Sequence, residues 1–217
     1  MRIHNPLSTS RQAIQLLLLA FASIQGAWAS TPPLPPCESA GCNTAAVPAP
    51  WPTETLTGGI PLRFHELSIV VPPAPSAIST QADAFFATYA DNSALAIGKT
   101  SAGAMANPVP EGMNALEWAD VLFTKTPKDE KQIEGLAKST WDAIILSKAV
   151  IIGEGSVTVY HQGSLVAYRV SGENLLPYSD GVIIIDERKP NGFLRIGANR
   201  MPRMVVDKIL ASVKTKQ

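Results

Sequence analysis

Hydrophobic positions recur with two different spacings along this chain, and each change of spacing marks an element. RFHELSIVV, residues 63 to 71, ends in an apolar β-branched run stopped by Pro72 and Pro73, which predicts a strand and its terminator. AFFATYADNSALAIGKT, residues 84 to 100, sets two apolar runs around Asp91-Asn92-Ser93 and predicts a hairpin. The glycines and prolines of 100 to 114 then read as a loop.

A helical spacing follows. Asn114 with Glu117 three residues on has the layout of an N-cap and its acidic N3 partner, so a short helix is expected over 115 to 123. Thr126, Pro127 and the acidic Asp129 and Glu130 announce a second helix, whose Ile133, Leu136, Ala137, Trp141, Ile144 and Ile145 share one face. Gly135 inside that run costs about 1 kcal/mol against alanine, which packing must offset.

Alternation returns in AVIIGEGSVTVYHQGSLVAYRVSG, residues 149 to 172, where His161-Gln162-Gly163-Ser164 separates two strands and glycine suits the positive φ of a tight turn. GVIIIDERKPNGFLRIGAN, residues 181 to 199, repeats the plan around Lys189-Pro190-Asn191-Gly192. Pro202 opens a closing helix with Val206, Ile209, Leu210 and Val213 on one face. These elements predict an α+β domain over 61 to 217, an antiparallel sheet of about five to six strands covered by two main helices.

The first sixty residues follow other rules. Arg2 and Arg11, an apolar run from Ala13 to Ile24, and Ala27-Trp28-Ala29 before Ser30 have the three parts of a secretory signal over 1 to 29. The apolar run is too short to span a bilayer, so cleavage after Ala29 is expected to leave no membrane span. Residues 30 to 60 are rich in proline and alanine, and are expected to form a disordered linker before the domain. A docking peptide is the alternative use of such a segment.

Export changes the reading of the two cysteines. Cys37 and Cys42 stand in C-x4-C, and an exported chain with an even cysteine count most simply pairs them. The spacing differs from the C-x-x-C of a thioredoxin-type site, and zinc would want more ligands than His65 and His161 supply nearby. Two of the 18 basic residues leave with the signal and none of the 18 acidic ones do, so the mature chain is acidic by two. That balance gives no electrostatic footprint for nucleic acid.

Catalytic chemistry finds little support. GEGSV at 153 to 157 lacks the last glycine of a nucleophile elbow, and no phosphate-cradling or dinucleotide glycine pattern is present. His161 with Glu154 and Asp186 could be drawn as a hydrolytic constellation, although nothing in their spacing joins them. Neither cofactor nor metal is expected.

The stretches ELSIVVPPAP, VTVYHQGSLVAYRV after the central helix, and FLRIGANRMPRMVVDKILASVK together resemble the PsbP-like sandwich domains of exported bacterial proteins, over residues 64 to 214. The resemblance implies a binding or assembly module rather than an enzyme. The expected role is therefore a non-catalytic exported protein, periplasmic or secreted, that binds another exported or envelope protein as an assembly factor or an immunity-type protein. Arg195, Arg200 and Arg203, with Tyr168, are the candidate binding residues; Tyr160 and Tyr178 could line a cleft beside them. A small hydrolase using His161, and a small-ligand carrier, are the alternatives.

Overall fold

A computed structural model describes residues 37–64, 66–81, 83–101, 109–133, 135–172 and 179–215. The expected signal peptide, His65 and Tyr178 lie outside the described residues. In chain order the elements are α1 (Ala40–Asn43), β1 (Val47–Pro50), β2 (Ile60–Phe64), β3 (Leu67–Val71), β4 (Ala77–Gln81), β5 (Ala84–Thr88) and β6 (Ala94–Ser101). Then come α2 (Ala115–Thr124), a 3-10 helix (Pro127–Gln132), α3 (Lys138–Ile152), β7 (Ser156–Gln162), β8 (Leu165–Gly172), β9 (Ser179–Asp186), β10 (Gly192–Asn199), α4 (Arg203–Ala211) and β11 (Lys214–Thr215).

This corrects the expected sheet of five to six strands under two helices. Among the described residues, eleven strands form an eight-stranded sheet, in the order β1-β7-β8-β9-β10-β6-β5-β4, and a three-stranded sheet, β11-β3-β2. The large sheet is mixed, because β1 runs parallel to β7 while its other neighbours pair antiparallel. Four α-helices are found among the described residues, not two main ones. The error has local causes. The 63–71 stretch turns at Glu66 and makes two strands, while AISTQ at 77 to 81 is too polar to announce itself as one.

The proline-rich segment is also not uniformly disordered. Val47–Pro50 pairs with Thr158–His161, and Trp51 is buried against Tyr160 in an edge-on ring contact. Alternate residues of a strand point to opposite sides, so Pro48 and Pro50 can both turn away from β7 and need no N–H there. Proline is tolerated because this is an edge.

The expected helix from Thr126 is interrupted. Its first turn is the 3-10 helix, where the Thr126 N–H donates to Asp129 Oδ2 at 2.7 Å. Gly135 then takes φ +80°, a left-handed conformation that ends the run, and α3 begins afresh at Lys138. It also runs on to Ile152, through residues expected in a strand. Three local features fall as expected: β5 and β6 flank a turn with Asn92 at φ +63°, Gly163 takes φ +58° between β7 and β8, and Pro202 precedes α4, which ends at Ala211 before the expected Val213.

The large sheet buries both faces. On one, Phe85, Leu95, Ile97, Ile184, Leu194 and Ile196 meet Ile69 and Val71 of the small sheet and Val206, Ile209 and Leu210 of α4. On the other, Val157, Tyr168, Ile185 and Phe193 meet Trp118 and Phe123 of α2 and Trp141, Ile144 and Ile145 of α3. Alternation along β7 to β10 sorts each strand's side chains between these two cores.

Candidate functional site

Where the small sheet meets the large one, the two layers part at one end and leave a cleft of about 410 Å³. The end of the β2–β3 hairpin (Phe64, Glu66, Leu67) forms one wall, and the β9–β10 turn from Asp186 to Gly192 forms the other. Ile184 and Leu194 lie at its base, paired across β9 and β10. The turn is held from behind: the Ala115 N–H at the start of α2 donates to the Pro190 carbonyl at 2.7 Å, and Trp118 stacks on Phe193. Asn114 caps that helix reciprocally with Glu117, which fixes the donor.

Charges line the rim. Asp186 accepts from Arg188 Nε at 3.0 Å, from Arg188 Nη2 at 2.7 Å and from the Arg188 backbone N–H at 3.1 Å. These hydrogen bonds, foremost that from the guanidinium, hold the Asp186 carboxyl at about 2, well below its ordinary value. Lys189 pairs with Glu66 across the cleft. Lys99 completes the rim from β6, opposite Leu194 in register, and no acidic side chain among the described residues pairs with its ammonium. An apolar base under a few polar groups is the general form of a small-molecule site.

A second surface feature lies at the edges of the large sheet. All five residues of β4 are exposed, Ile78 by 53%, and the strand holds neither a proline nor a charge. The opposite edge, β1, carries Pro48 and Pro50. A sheet edge with no such protection offers its unpaired backbone groups to another strand.

The residues singled out from the sequence do not assemble into one patch. Tyr168 is 4% exposed and stacked on Phe123 beneath the helices, where burial pushes its phenol up. Tyr160 is likewise buried, on the opposite face. Arg195 lies half-buried in the row of Ile183 and Gly98, on the helical side of the sheet, and burial pulls its guanidinium down. Arg203 begins α4, which packs on the other side, and Arg200 is exposed in the bend between them with φ +55°. His161 and Asp186 also project to opposite faces, and Glu154 lies at the far end of β7. The hydrolytic constellation is therefore not brought together. Cys37 and Cys42 are within disulfide bonding distance, with Cα atoms 6.1 Å apart.

Two buried charges went unread in the sequence. Arg169 of β8 is fully buried and pairs with Asp180 of β9 and Asp207 of α4, with Nη2 also 3.3 Å from the Arg203 carbonyl. Burial opposes its charge, but the two carboxylates outweigh that and raise its affinity for the proton. The signal was an arginine inside the apolar run LVAYRV. Lys148 of α3, also fully buried, donates to the Lys125 carbonyl, and burial lowers it to about 8.

No group of three or more potential metal-ligating side chains occurs among the described residues, and no helix among them is long and apolar enough to cross a membrane. No protein-family model matches the chain, and no curated protein matches it. Among solved structures it is similar to a Bacteroides thetaiotaomicron VPI-5482 protein determined at 1.50 Å resolution, at 11% identity and a TM-score of 0.30. That match covers 70% of this chain and 46% of the other, so the chain spans less than half the length of that structure.

Proposed function

We propose that the chain is an exported, non-catalytic protein-binding module that receives an extended segment of another exported or envelope protein along β4. The observation that carries this reading is the difference between the sheet's two edges. At β1, two prolines take donors away from the outer edge, while β4 is five exposed residues of uncharged, proline-free strand. Strand addition needs a row of free backbone groups and supplies affinity through main-chain hydrogen bonds. Ile78, exposed beside them, gives the partner an apolar side chain to cover. Export is supported by the tripartite pattern of residues 1 to 29 and by the cysteine pair, which suits an oxidising compartment.

A photo-crosslinking residue placed at Ser79, with the same probe at Val47 on the opposite edge, tests this in the native compartment. The expected result is one heterologous adduct from Ser79, lost in the Ile78→Lys, Thr80→Lys variant while the melting temperature is kept. No adduct at Ser79, equal adducts at both edges, or an adduct only with a second copy of the chain overturns the reading.

A further inference from the structure

The cleft at the open end of the two sheets carries a separate conclusion, independent of the β4 edge. Its base is apolar, with Ile184 and Leu194 below and Phe64 and Leu67 on the wall. Its rim bears three cations, Lys99, Arg188 and Lys189, against two acids, Asp186 and Glu66. Both acids are engaged, Asp186 by the Arg188 fork and Glu66 by Lys189. Lys99 is left as the half-buried ammonium with no acidic partner among the described residues, in the same cross-strand row as Leu194 and Ile184.

We infer that this cleft is a binding site for a small aliphatic monocarboxylate, whose carboxylate meets the Lys99 ammonium and whose hydrocarbon part lies against the half-buried Phe64 and Leu67. One surplus positive charge above an apolar floor is complementary to one negative charge on an apolar body. A charge-assisted hydrogen bond in a partly dry cleft is stronger than the same contact in open water. The volume falls in the range of small-molecule sites. The ion pairs of Arg188 and Lys189 frame the opening and discourage a second anion.

The full mature protein is titrated with decanoate, below its aggregation concentration, by calorimetry and by amide chemical shifts. Decanol supplies the tail without the charge, and acetate the charge without the tail. The expected result is saturable 1:1 decanoate binding at least tenfold tighter than decanol, none for acetate, and shifts confined to 64, 66–67, 99 and 184–194. Lys99→Met should lower decanoate affinity about tenfold with an unchanged melting temperature and unchanged decanol binding, and Lys99→Arg should restore it. N-acetyl-leucine distinguishes the sources of the carboxylate: tighter binding of decanoate points to a lipid-derived acid, tighter binding of N-acetyl-leucine to an apolar amino acid. Equal binding of decanol and decanoate, shifts elsewhere, or indifference to Lys99→Met overturns the inference.

Discussion

The two layers packed on the large sheet are fastened by different chemistry. On the helical side the contacts are rings on rings: Trp118 stacks on Phe193 with centroids 5.7 Å apart, and Phe123 on Tyr168 at 5.0 Å. On the other side, aliphatic packing is joined by a fully buried guanidinium that holds a carboxylate from the sheet and another from α4. The first kind of contact is stabilising wherever apolar area meets. The second is costly to break and of little net benefit to build, because each charge surrenders its hydration. What Arg169 adds is position: through Asp207 and Asp180 it ties α4 to β8 and β9.

Five measurements test this contrast and its surroundings. Phe123→Ala, which empties a fully buried site between α2 and the sheet, should cost about 4 kcal/mol in urea unfolding. Asp180→Ala should cost about 3 kcal/mol, at the low end for a broken buried pair because Asp180 reaches some solvent. The triple variant Arg169→Met, Asp180→Leu, Asp207→Leu should recover most of that loss, and no recovery would sink the distinction between the two faces.

The next effect is smaller and depends on pH. The folded state holds Lys148 at about 8, below the lysine value of an unfolded chain. Between those values the unfolded state binds the extra proton, so stability should rise from pH 8 to 9.5, and Lys148→Met should flatten the slope. The smallest effect belongs to the cleft rim. With Asp186 at about 2 in the folded state, its stabilisation is present above the ordinary aspartate value and lost as pH falls toward 2. Asp186→Asn should remove that part of the acid transition, measured by circular dichroism.

The helical face was largely legible in the sequence, and the charged features were not. Asn114 and Glu117 announced α2, and Trp141, Ile144 and Ile145 announced the face of α3, because apolar periodicity and capping are local properties. Arg169, Asp180 and Asp207 meet only through sheet register and helix docking, so no local pattern joins them. The same holds for the cleft. Asp186 and Arg188 stand two residues apart, but Lys99 comes from β6 and Glu66 from the turn between β2 and β3. The expected arginine cluster failed for the converse reason: nearness in sequence placed Arg195 and Arg203 on opposite sides of a sheet. β4 was missed because an exposed strand has no apolar face to alternate with.

The pairing of β1 with β7 has a consequence for how the chain folds. Val47 must wait for Thr158, so the first strand of the sheet stays single while most of the domain is made. Long-range parallel pairing is slow to form, and a waiting strand can recruit the wrong neighbour. Pro48 and Pro50 weaken any premature pairing on the outer edge of that segment, since neither can donate to a ladder there. The two prolines thus act in time as well as in space, closing one edge of β1 to wrong neighbours while the other waits for β7.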